Sequence, residues 1–273
     1  MRAETARSVK RVLFKYCRPL LASIQGIRRT LNRRREREIH DQIAPFRQQV
    51  CDQWGRTVQG GPLRGLRYPS KSGSDSLLPR LVGCYEAEIH DSIEIALKRQ
   101  PSVLVDIGCE DGYFAVGLVL RQHSAIMYAY DIDPFAQNSC REMADLNGVA
   151  DRVIIDGECT HEKLQALLGS RSLVVCDCEG AEFELLDPAQ VPALRLADLI
   201  VELHDHVRSD VAITPALCQR FADSHEITMI DRADRNALDY PCLQSLPPEQ
   251  RSLAMHEPRM PFQQWVFLKS KAR

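Results

Sequence analysis

From Pro101 onward, short apolar runs alternate with amphipathic segments, and this alternation restricts the chain to one class of fold. The apolar runs are rich in Val, Ile and Leu, which is typical of buried parallel strands. We predict strands over residues 102–107, 125–130, 152–155, 173–176, 199–203, 226–230 and 264–268. The pattern predicts a mostly parallel sheet with helices on both faces. Because no helix separates the last two runs, we expect the seventh strand to be antiparallel.

The segments between the apolar runs have the spacing and the end signals of helices. We predict an amphipathic helix ahead of the first strand and five helices after it, over residues 85–98, 113–121, 134–146, 161–168, 181–186 and 215–224. Pro134 suits the first turn of its helix and Asp133 suits the N-cap. Residues 236–262 contain five prolines and are predicted to be mainly loop.

The N-terminal part of the chain differs in charge from the rest. Residues 1–40 carry twelve Lys and Arg and three Glu, a net charge of +9, whereas the whole chain has a formal charge of −2. Apolar residues recur with a period near 3.5 over residues 8–38, which predicts an amphipathic helix. A Gly-, Pro- and Ser-rich segment follows at 60–76. We predict a basic helical extension over residues 1–59 and an α/β domain over residues 60–273.

Three interpretations of the basic extension are possible. Its apolar stripe can pack on the acidic body of the same chain, or on a second copy of the chain to form a homo-oligomer. It can instead make a peripheral contact with an anionic membrane surface. Its cationic face can also bind the phosphates of a nucleic acid. Pro19 and Gly26 favour two short helices folded onto protein, so packing is preferred and nucleic acid is the least expected partner.

The cysteines and the N-terminus bear on the compartment. The ten cysteines include no CxxC pair, so we interpret them as free thiols of a reducing compartment. The N-terminus lacks the pattern of a signal peptide, and no run reaches the ~18 apolar residues of a membrane span. We expect a cytoplasmic protein, with membrane-peripheral attachment as the alternative.

The segment after the first predicted strand has the composition of a ligand-binding loop. Gly108 and Gly112 permit a tight turn and a close approach of backbone to ligand. A dinucleotide loop would need further glycines, and here those positions hold Glu110 and Tyr113. Asp106 adds more negative charge, which repels a diphosphate. The cationic ligand S-adenosylmethionine suits this loop, and we predict that Asp106, Gly108 and Gly112 contribute to its site.

Polar residues also follow the second and third predicted strands. Asp131 lies 19 residues after Gly112, a spacing that suits a carboxylate binding both ribose hydroxyls. We place Asp131 and the adjacent Ile132 in the cofactor site. After the third strand, Asp156 and Gly157 are predicted to hold the adenine edge.

Three segments together resemble a known family. Residues 177–182 (D-C-E-G-A-E) resemble the D-x-E-G-x-E segment of FkbM-type S-adenosylmethionine-dependent methyltransferases. Residues 106–112 are similar to that family's first motif, and residues 83–88 (G-C-Y-E-A-E) to its G-x-Y-E-x-E entry segment. The family's second strand usually ends in Glu-Pro, whereas residues 131–134 read D-I-D-P. The resemblance covers about residues 60–270.

The resemblance implies a fold, an activity and a further site residue. The fold is the Rossmann-like class I methyltransferase fold, a seven-stranded mostly parallel sheet whose last strand is antiparallel, here with an N-terminal helical extension. The implied activity is O-methylation of a hydroxyl on a sugar, glycan or other small metabolite. Glu86, in the entry segment, is implied to belong to the cofactor site.

Acid–base candidates follow the fourth and fifth predicted strands. Transfer of a methyl group to a hydroxyl requires alignment of donor and acceptor and a group that accepts the hydroxyl proton. Asp177, Glu179 and His204 are predicted to be catalytic, with His204 as the base because imidazole titrates near neutral pH. Since side chains alternate along a strand, Glu202 and His204 are expected on one side. Asp177, Glu202 and His204 are also candidate ligands for a hard cation such as Mg²⁺.

Two other functions remain open from the sequence. One is a nucleic-acid-modifying methyltransferase whose basic extension binds phosphates. However, enzymes that methylate amino groups of nucleic acids usually carry an Asn/Asp-Pro-Pro-Tyr segment after the fourth strand, and this chain has D-C-E-G at residues 177–180. The other is a non-catalytic module that binds S-adenosylmethionine. Salt-sensitive binding to RNA or DNA distinguishes the first, and cofactor affinity without turnover distinguishes the second.

Overall fold

The computed structural model describes residues 38–39, 41–70, 76–207, 212–257 and 264–272. The chain divides into two compact units, Met1–Phe46 and Arg47–Arg273. In the first unit, residues 38–39 and 41–46 are helical. The helix predicted over residues 8–38 lies outside the described residues except at its last position. The predicted domain boundary at residues 59–60 stays a prediction.

The second unit is built on one seven-stranded sheet of order β3-β2-β1-β4-β5-β7-β6. Its strands are β1 (Val103–Ile107), β2 (Ile126–Tyr130), β3 (Val153–Asp156), β4 (Ser172–Cys176), β5 (Asp198–Leu203), β6 (His225–Ile230) and β7 (Gln264–Ser270). Neighbours among β1 to β5 are parallel, whereas β7 is antiparallel to β5 and β6. This order with a reversed last strand is that of the class I methyltransferase fold, so the predicted fold class is confirmed.

Helices connect the strands and cover the sheet. They are α1 (47–53), α2 (Leu77–Val82), α3 (His90–Lys98), α4 (Tyr113–Arg121), α5 (Pro134–Leu146), α6 (His161–Leu167), α7 (Glu182–Leu185), α8 (Ile213–Phe221) and α9 (Pro248–Ala254). The predicted bounds of α4 and α5 agree with the structure. Asp133 caps α5 as predicted, because its side chain accepts a hydrogen bond from the Phe135 amide.

Burial follows the position of each strand in the sheet. Every residue of β4 and β5 is buried, including Asp198 and Glu202 of β5, because both strands lie in the middle of a covered sheet. The outer strands β3 and β6 are more exposed. Leu217 and Phe221 of α8 pack with Val201 of β5 in one apolar cluster. Burying such a side chain contributes about 1.5–3 kcal/mol, so the cluster holds the carboxyl end of β5 in place.

The structure contains helices that the sequence analysis did not predict. These are α2 and the short α9, which lies inside the segment predicted to be loop. All six residues of α2 are buried, so its sequence lacks the alternation of apolar and polar faces by which amphipathic helices are identified. Pro79 within α2 also argued against a helix at the level of sequence.

Two observations bear on the expected compartment, which stays a prediction. The nine cysteines among the described residues are free thiols. Within the same residues, no helix has both the length and the apolar character needed to cross a membrane.

Candidate active site

A cavity of about 780 Å³ opens at the carboxyl ends of the first four strands. The strand order reverses between β1 and β4, and this switch point is where open α/β sheets bind ligands. Six of the residues predicted for the site line the cavity: Gly108, Asp131, Ile132, Gly157, Asp177 and Glu179. Its size falls in the usual range for small-molecule and cofactor sites.

Gly108 and Gly112 shape the loop between β1 and α4. Both have left-handed backbone angles, with φ of +85° and +92°. A Cβ on Gly108 would lie 1.7 Å from the carbonyl oxygen of Asp177, so only glycine lets this loop pass against the end of β4. A Cβ on Gly112 would lie 2.9 Å from Cys140 Sγ of α5. The loop therefore forms one wall of the cavity with its backbone.

Asp131 is held in position at the end of β2. Its Oδ2 accepts a hydrogen bond from the amide of Glu110 at 3.0 Å, and its Oδ1 accepts one from the amide of Asp133 at 2.9 Å. A carboxylate oxygen can accept more than one hydrogen bond, so both oxygens keep acceptor capacity toward the cavity. Asp131 thus joins the β1 loop to the β2 end and still offers an acceptor pair to a ligand.

The end of β3 divides between two roles. Gly157 lines the cavity. The carboxylate of Asp156 forms an ion pair with Lys163 at 2.8 Å and accepts a hydrogen bond from the Gly157 amide at 2.7 Å. The hydrogen bond from Lys163 lowers the pKa of Asp156. The Asp156 carboxylate therefore binds Lys163 of α6 and the amide of its own turn, and Asp156 does not line the cavity.

Three predicted cofactor residues are buried outside the cavity lining: Gly112, Asp106 and Glu86. Asp106 on β1 is 2% exposed, and its Oδ2 has no hydrogen-bond partner among the described residues. Burial, reinforced by the charge of Asp177, raises the pKa of Asp106 to about 8. Glu86 is equally buried, with a left-handed φ of +51°, and its amide donates to the Glu257 carboxylate at 3.2 Å.

A buried arginine that the sequence analysis missed supports the acidic loop. Arg80 of α2 forms ion pairs with Glu110 and, at 2.8 Å, with Asp111. Its guanidinium lies 4.4 Å from the ring centroid of Tyr85 and 5.4 Å from that of Tyr113. Arg80 therefore offsets the negative charge of two carboxylates in this loop. The signal for it was weak because α2 itself was not predicted.

His204 follows β5 and is fully buried. Its Nδ1 lies 3.2 Å from Oε1 of Glu182, which also accepts a hydrogen bond from the His204 amide at 2.9 Å. The other oxygen of Glu182 accepts one from the Gly180 amide at 2.8 Å. Since an ionised carboxylate only accepts, the proton of a neutral His204 resides on Nδ1 and leaves Nε2 with a lone pair. Glu182, to which the sequence analysis assigned no role, thus sets the orientation of His204.

Three carboxylates surround the other ring nitrogen of His204. Its Nε2 lies 3.5 Å from Asp177 Oδ1, 3.7 Å from Glu179 Oε2 and 3.7 Å from Glu202 Oε2. The placement of Glu202 and His204 on one side agrees with alternation along β5. One ligand atom from each of Asp177, Glu179 and His204 lies within 4.8 Å of the others. The structure therefore groups Glu179, rather than the predicted Glu202, with Asp177 and His204 as potential cation ligands.

Burial and crowding shift the acidity of this cluster. Burial raises the pKa of Glu202, and the nearby Asp177 charge raises it further. Burial also raises the pKa of Asp177, although its hydrogen bond with Glu202 opposes this. Burial lowers the pKa of His204, but the hydrogen bond to Glu182 and the surrounding carboxylates outweigh it, so the net shift is upward.

Solved structures with a related chain trace include three bacterial proteins. They are cofactor-bound Rv0187 from MTB (15% identity, TM-score 0.46, covering 76% of this chain and 84% of that one), the O-methyltransferase from Bacillus cereus in complex with SAH (11%, 0.45, 74% and 84%) and a methyltransferase from Geobacter sulfurreducens (14%, 0.42, 66% and 76%). No family model matches the chain. At this level of similarity, no residue role is transferred from these proteins.

Proposed function

We propose that this chain is an S-adenosylmethionine-dependent methyltransferase that methylates a hydroxyl of a sugar, glycan or other small molecule. One observation carries the proposal. An acidic cavity lies at the carboxyl edge of a sheet with the class I methyltransferase strand order, and the backbone of a glycine loop forms one wall of it. Asp177 and Glu179 line this cavity and also lie next to the imidazole of His204, which is held in one orientation. The cavity offers binding groups for a cationic cofactor, and the cluster offers a proton acceptor beside it.

The residues on the cofactor side fit this ligand. Gly108 lets the loop pass against the end of β4 and line the cavity, and Asp131 offers two carboxylate oxygens for a pair of hydroxyls. Ile132 supplies apolar surface and Gly157 leaves space at the end of β3. The buried Oδ2 of Asp106 has no hydrogen-bond partner among the described residues, and an ammonium or sulfonium bound nearby would favour the ionised form of this carboxyl. When bound, S-adenosylmethionine supplies an electrophilic methyl group on sulfur.

The residues on the acceptor side accept a proton from the substrate and hold it. Asp177 and Glu179 line the cavity and reach back to His204. The acceptor hydroxyl loses its proton to this cluster. Glu182 keeps the ring of His204 in one orientation, and burial behind the two carboxylates shields it from water. General-base assistance of this kind is worth about 10²–10⁴ in rate.

Cofactor binding is the first test. Titration calorimetry of S-adenosylhomocysteine into wild type and Asp131→Ala should show binding by wild type and a loss of about 1–3 kcal/mol in the variant, because ribose hydroxyls lose their acceptor. Leu238→Ala, at an exposed residue outside the cavity lining, serves as the control and should bind as wild type does. If wild type binds NAD and not S-adenosylhomocysteine, the proposal fails.

Transfer is the second test. Pools of sugars, glycan fragments and small metabolites are incubated with a deuteromethyl-labelled cofactor, and mass spectrometry detects the shifted product. For any acceptor found, His204→Ala should reduce turnover by about 10²–10⁴ with little change in cofactor affinity. Cofactor binding without any labelled product from these pools would instead favour the non-catalytic module. RNA and DNA are incubated separately in the same way, and a labelled nucleic acid would favour the nucleic-acid alternative.

A further inference from the structure

The environment of His204 Nε2 is unusual for a buried histidine. The side chain is fully buried, and Nε2 has no hydrogen-bond partner among the described residues. Nevertheless, carboxylate oxygens of Asp177, Glu179 and Glu202 lie 3.5–3.7 Å from it. A buried polar atom without a partner is costly, and so is a group of carboxylates with no cation among them. One ligand would relieve both costs.

The opposite side of the ring indicates what kind of ligand this is. Glu182 is completely buried and holds Nδ1, so the lone pair of Nε2 is directed at the carboxylates. Metal-binding histidines commonly donate their second ring N–H to a carboxylate in this way, which fixes the tautomer and raises the basicity of the ligating nitrogen. Glu182 is itself held by the amides of Gly180 and His204.

We propose that Asp177, Glu179 and His204 bind a divalent first-row transition-metal ion, with Glu182 as the positioning residue behind His204. Their ligand atoms lie within 4.8 Å of one another, and ligands on opposite sides of one ion at about 2.1 Å each are separated by ~4.2 Å. A small rotation of Glu179, whose side chain is 79% exposed, closes that difference. Glu202 Oε2 also lies 3.7 Å from Nε2 of His204.

The donor set distinguishes this ion from Mg²⁺. Mg²⁺ is bound mainly by oxygen and keeps several waters, whereas a neutral imidazole suits iron, nickel, copper and zinc better. Mn²⁺, the weakest binder of the first-row divalent series, serves as the spectroscopic probe. Asp177 and Glu179 line the cavity, so the ion would face the acceptor side. With the ion bound, Nε2 of His204 is coordinated and does not itself accept the hydroxyl proton; the ion instead lowers the pKa of a coordinated hydroxyl. That role rests on the proposed function, but ion binding does not.

Binding of Mn²⁺ to the full-length chain tests the inference. The six-line electron paramagnetic resonance signal of free Mn²⁺ is followed during titration of wild type, Glu179→Gln and Glu158→Gln. Glu158 is an exposed carboxylate in the lining of the same cavity but outside the cluster, so its variant removes an equal charge. We expect one saturable site in wild type, at least a tenfold weaker one in Glu179→Gln, and less than a threefold change in Glu158→Gln.

A second variant tests the positioning role. Glu182→Gln should weaken Mn²⁺ binding by about 10–100-fold, because the amide cannot accept at both of its ends. Near-ultraviolet circular dichroism establishes that each variant is folded. Competition with Mg²⁺ should need a large excess to displace Mn²⁺.

The outcomes separate this inference from the proposed function. No saturable Mn²⁺ site in wild type, or equal affinities in Glu179→Gln and Glu158→Gln, would overturn the inference, and His204 would then be an imidazolium paired with the carboxylates. Equal displacement by Mg²⁺ would overturn the choice of ion. S-adenosylhomocysteine binding is measured on the same samples, so loss of that binding alone contradicts the function and not the ion site.

Discussion

Replacement of Gly108 by alanine tests the contact between the β1 loop, on the cofactor side of the site, and the end of β4, on the acceptor side. The β1 loop and the end of β4 meet where Gly108 faces the carbonyl of Asp177, and a Cβ there would lie 1.7 Å from that oxygen. Next to this contact, the Asp177 amide donates to Ile107 at 2.9 Å, and the Gly108 amide donates to Tyr130 at 2.8 Å. Neither segment can move away without stretching a hydrogen bond.

The expected cost has two parts. A left-handed backbone angle costs an alanine about 1–2 kcal/mol relative to glycine. Relief of a contact more than an ångström too short requires a backbone shift, which adds roughly 1–3 kcal/mol. The sum, about 2–5 kcal/mol, corresponds to a decrease in Tm of roughly 4–20 °C for a domain of this size.

Gly148 provides a matched control for the first part alone. It follows α5 with φ of +68°, and a Cβ there would meet no atom within 4 Å. Gly148→Ala should therefore lower the free energy of unfolding by only about 1–2 kcal/mol, a Tm decrease of roughly 2–8 °C. Both variants are compared with wild type by differential scanning calorimetry and by S-adenosylhomocysteine titration.

The difference between the two variants decides the outcome. We expect Gly108→Ala to be the less stable of the two and to bind the cofactor analogue more weakly, whereas Gly148→Ala binds as wild type does. Equal Tm values for the two alanine variants would refute the close approach of the loop to β4. If Gly108→Ala binds S-adenosylhomocysteine as tightly as wild type does, the β1 loop is not part of the cofactor site.

Three further predictions concern charge. Arg80→Met should cost about 3–5 kcal/mol in urea unfolding because it leaves Asp111 buried without its cation, and the double variant with Asp111→Leu should recover most of that loss; no recovery contradicts the pairing. The pKa of Asp106 is raised to about 8, so the folded state holds this proton more tightly than the unfolded state, and the stability of the ligand-free protein should fall as pH rises from about 4 to about 8. Asp106→Asn should reduce the slope of stability against pH. If the slope is unaltered in the variant, another group causes it. Deletion of residues 1–40 should lower the oligomer mass in light scattering or the solubility, whereas retained mass and solubility with loss of flotation on anionic liposomes would favour membrane contact.

The alternation of apolar runs was sufficient to predict the sheet. All seven strands occur where predicted, with bounds that differ by at most two residues, because buried parallel strands have a strong compositional signal. The antiparallel β7 was predicted because no helix was expected before it; the direction is correct, although the short α9 lies between β6 and β7. What the sequence did not reveal was α2, since a helix buried on every side shows no periodicity. Arg80, whose charge completes the β1 loop, was missed with it.

The residues of the site were predictable only where strand ends bring them together. Gly108, Asp131 and Asp177 each follow a strand, and the carboxyl ends of adjacent parallel strands meet at one edge. Side-chain direction was not predictable in the same way. Asp156 turns to Lys163, and Glu86 packs near Glu257, through contacts that no local pattern encodes. The bond between Glu182 and His204 likewise joins residues 22 positions apart.

The distribution of charge around the cavity narrows what can bind there. Within its described lining, acidic side chains come from the ends of four successive strands, and neither Lys nor Arg is among the lining residues. The nearby Arg80 is buried and already paired with Glu110 and Asp111. A diphosphate would meet this lining with repulsion on every side, whereas a cationic ligand gains from each carboxylate. The same reasoning applies at His204, where three carboxylates converge on one lone pair. We therefore expect both halves of the site to select positive charge, an organic cation at the β1 loop and a metal ion at the end of β5.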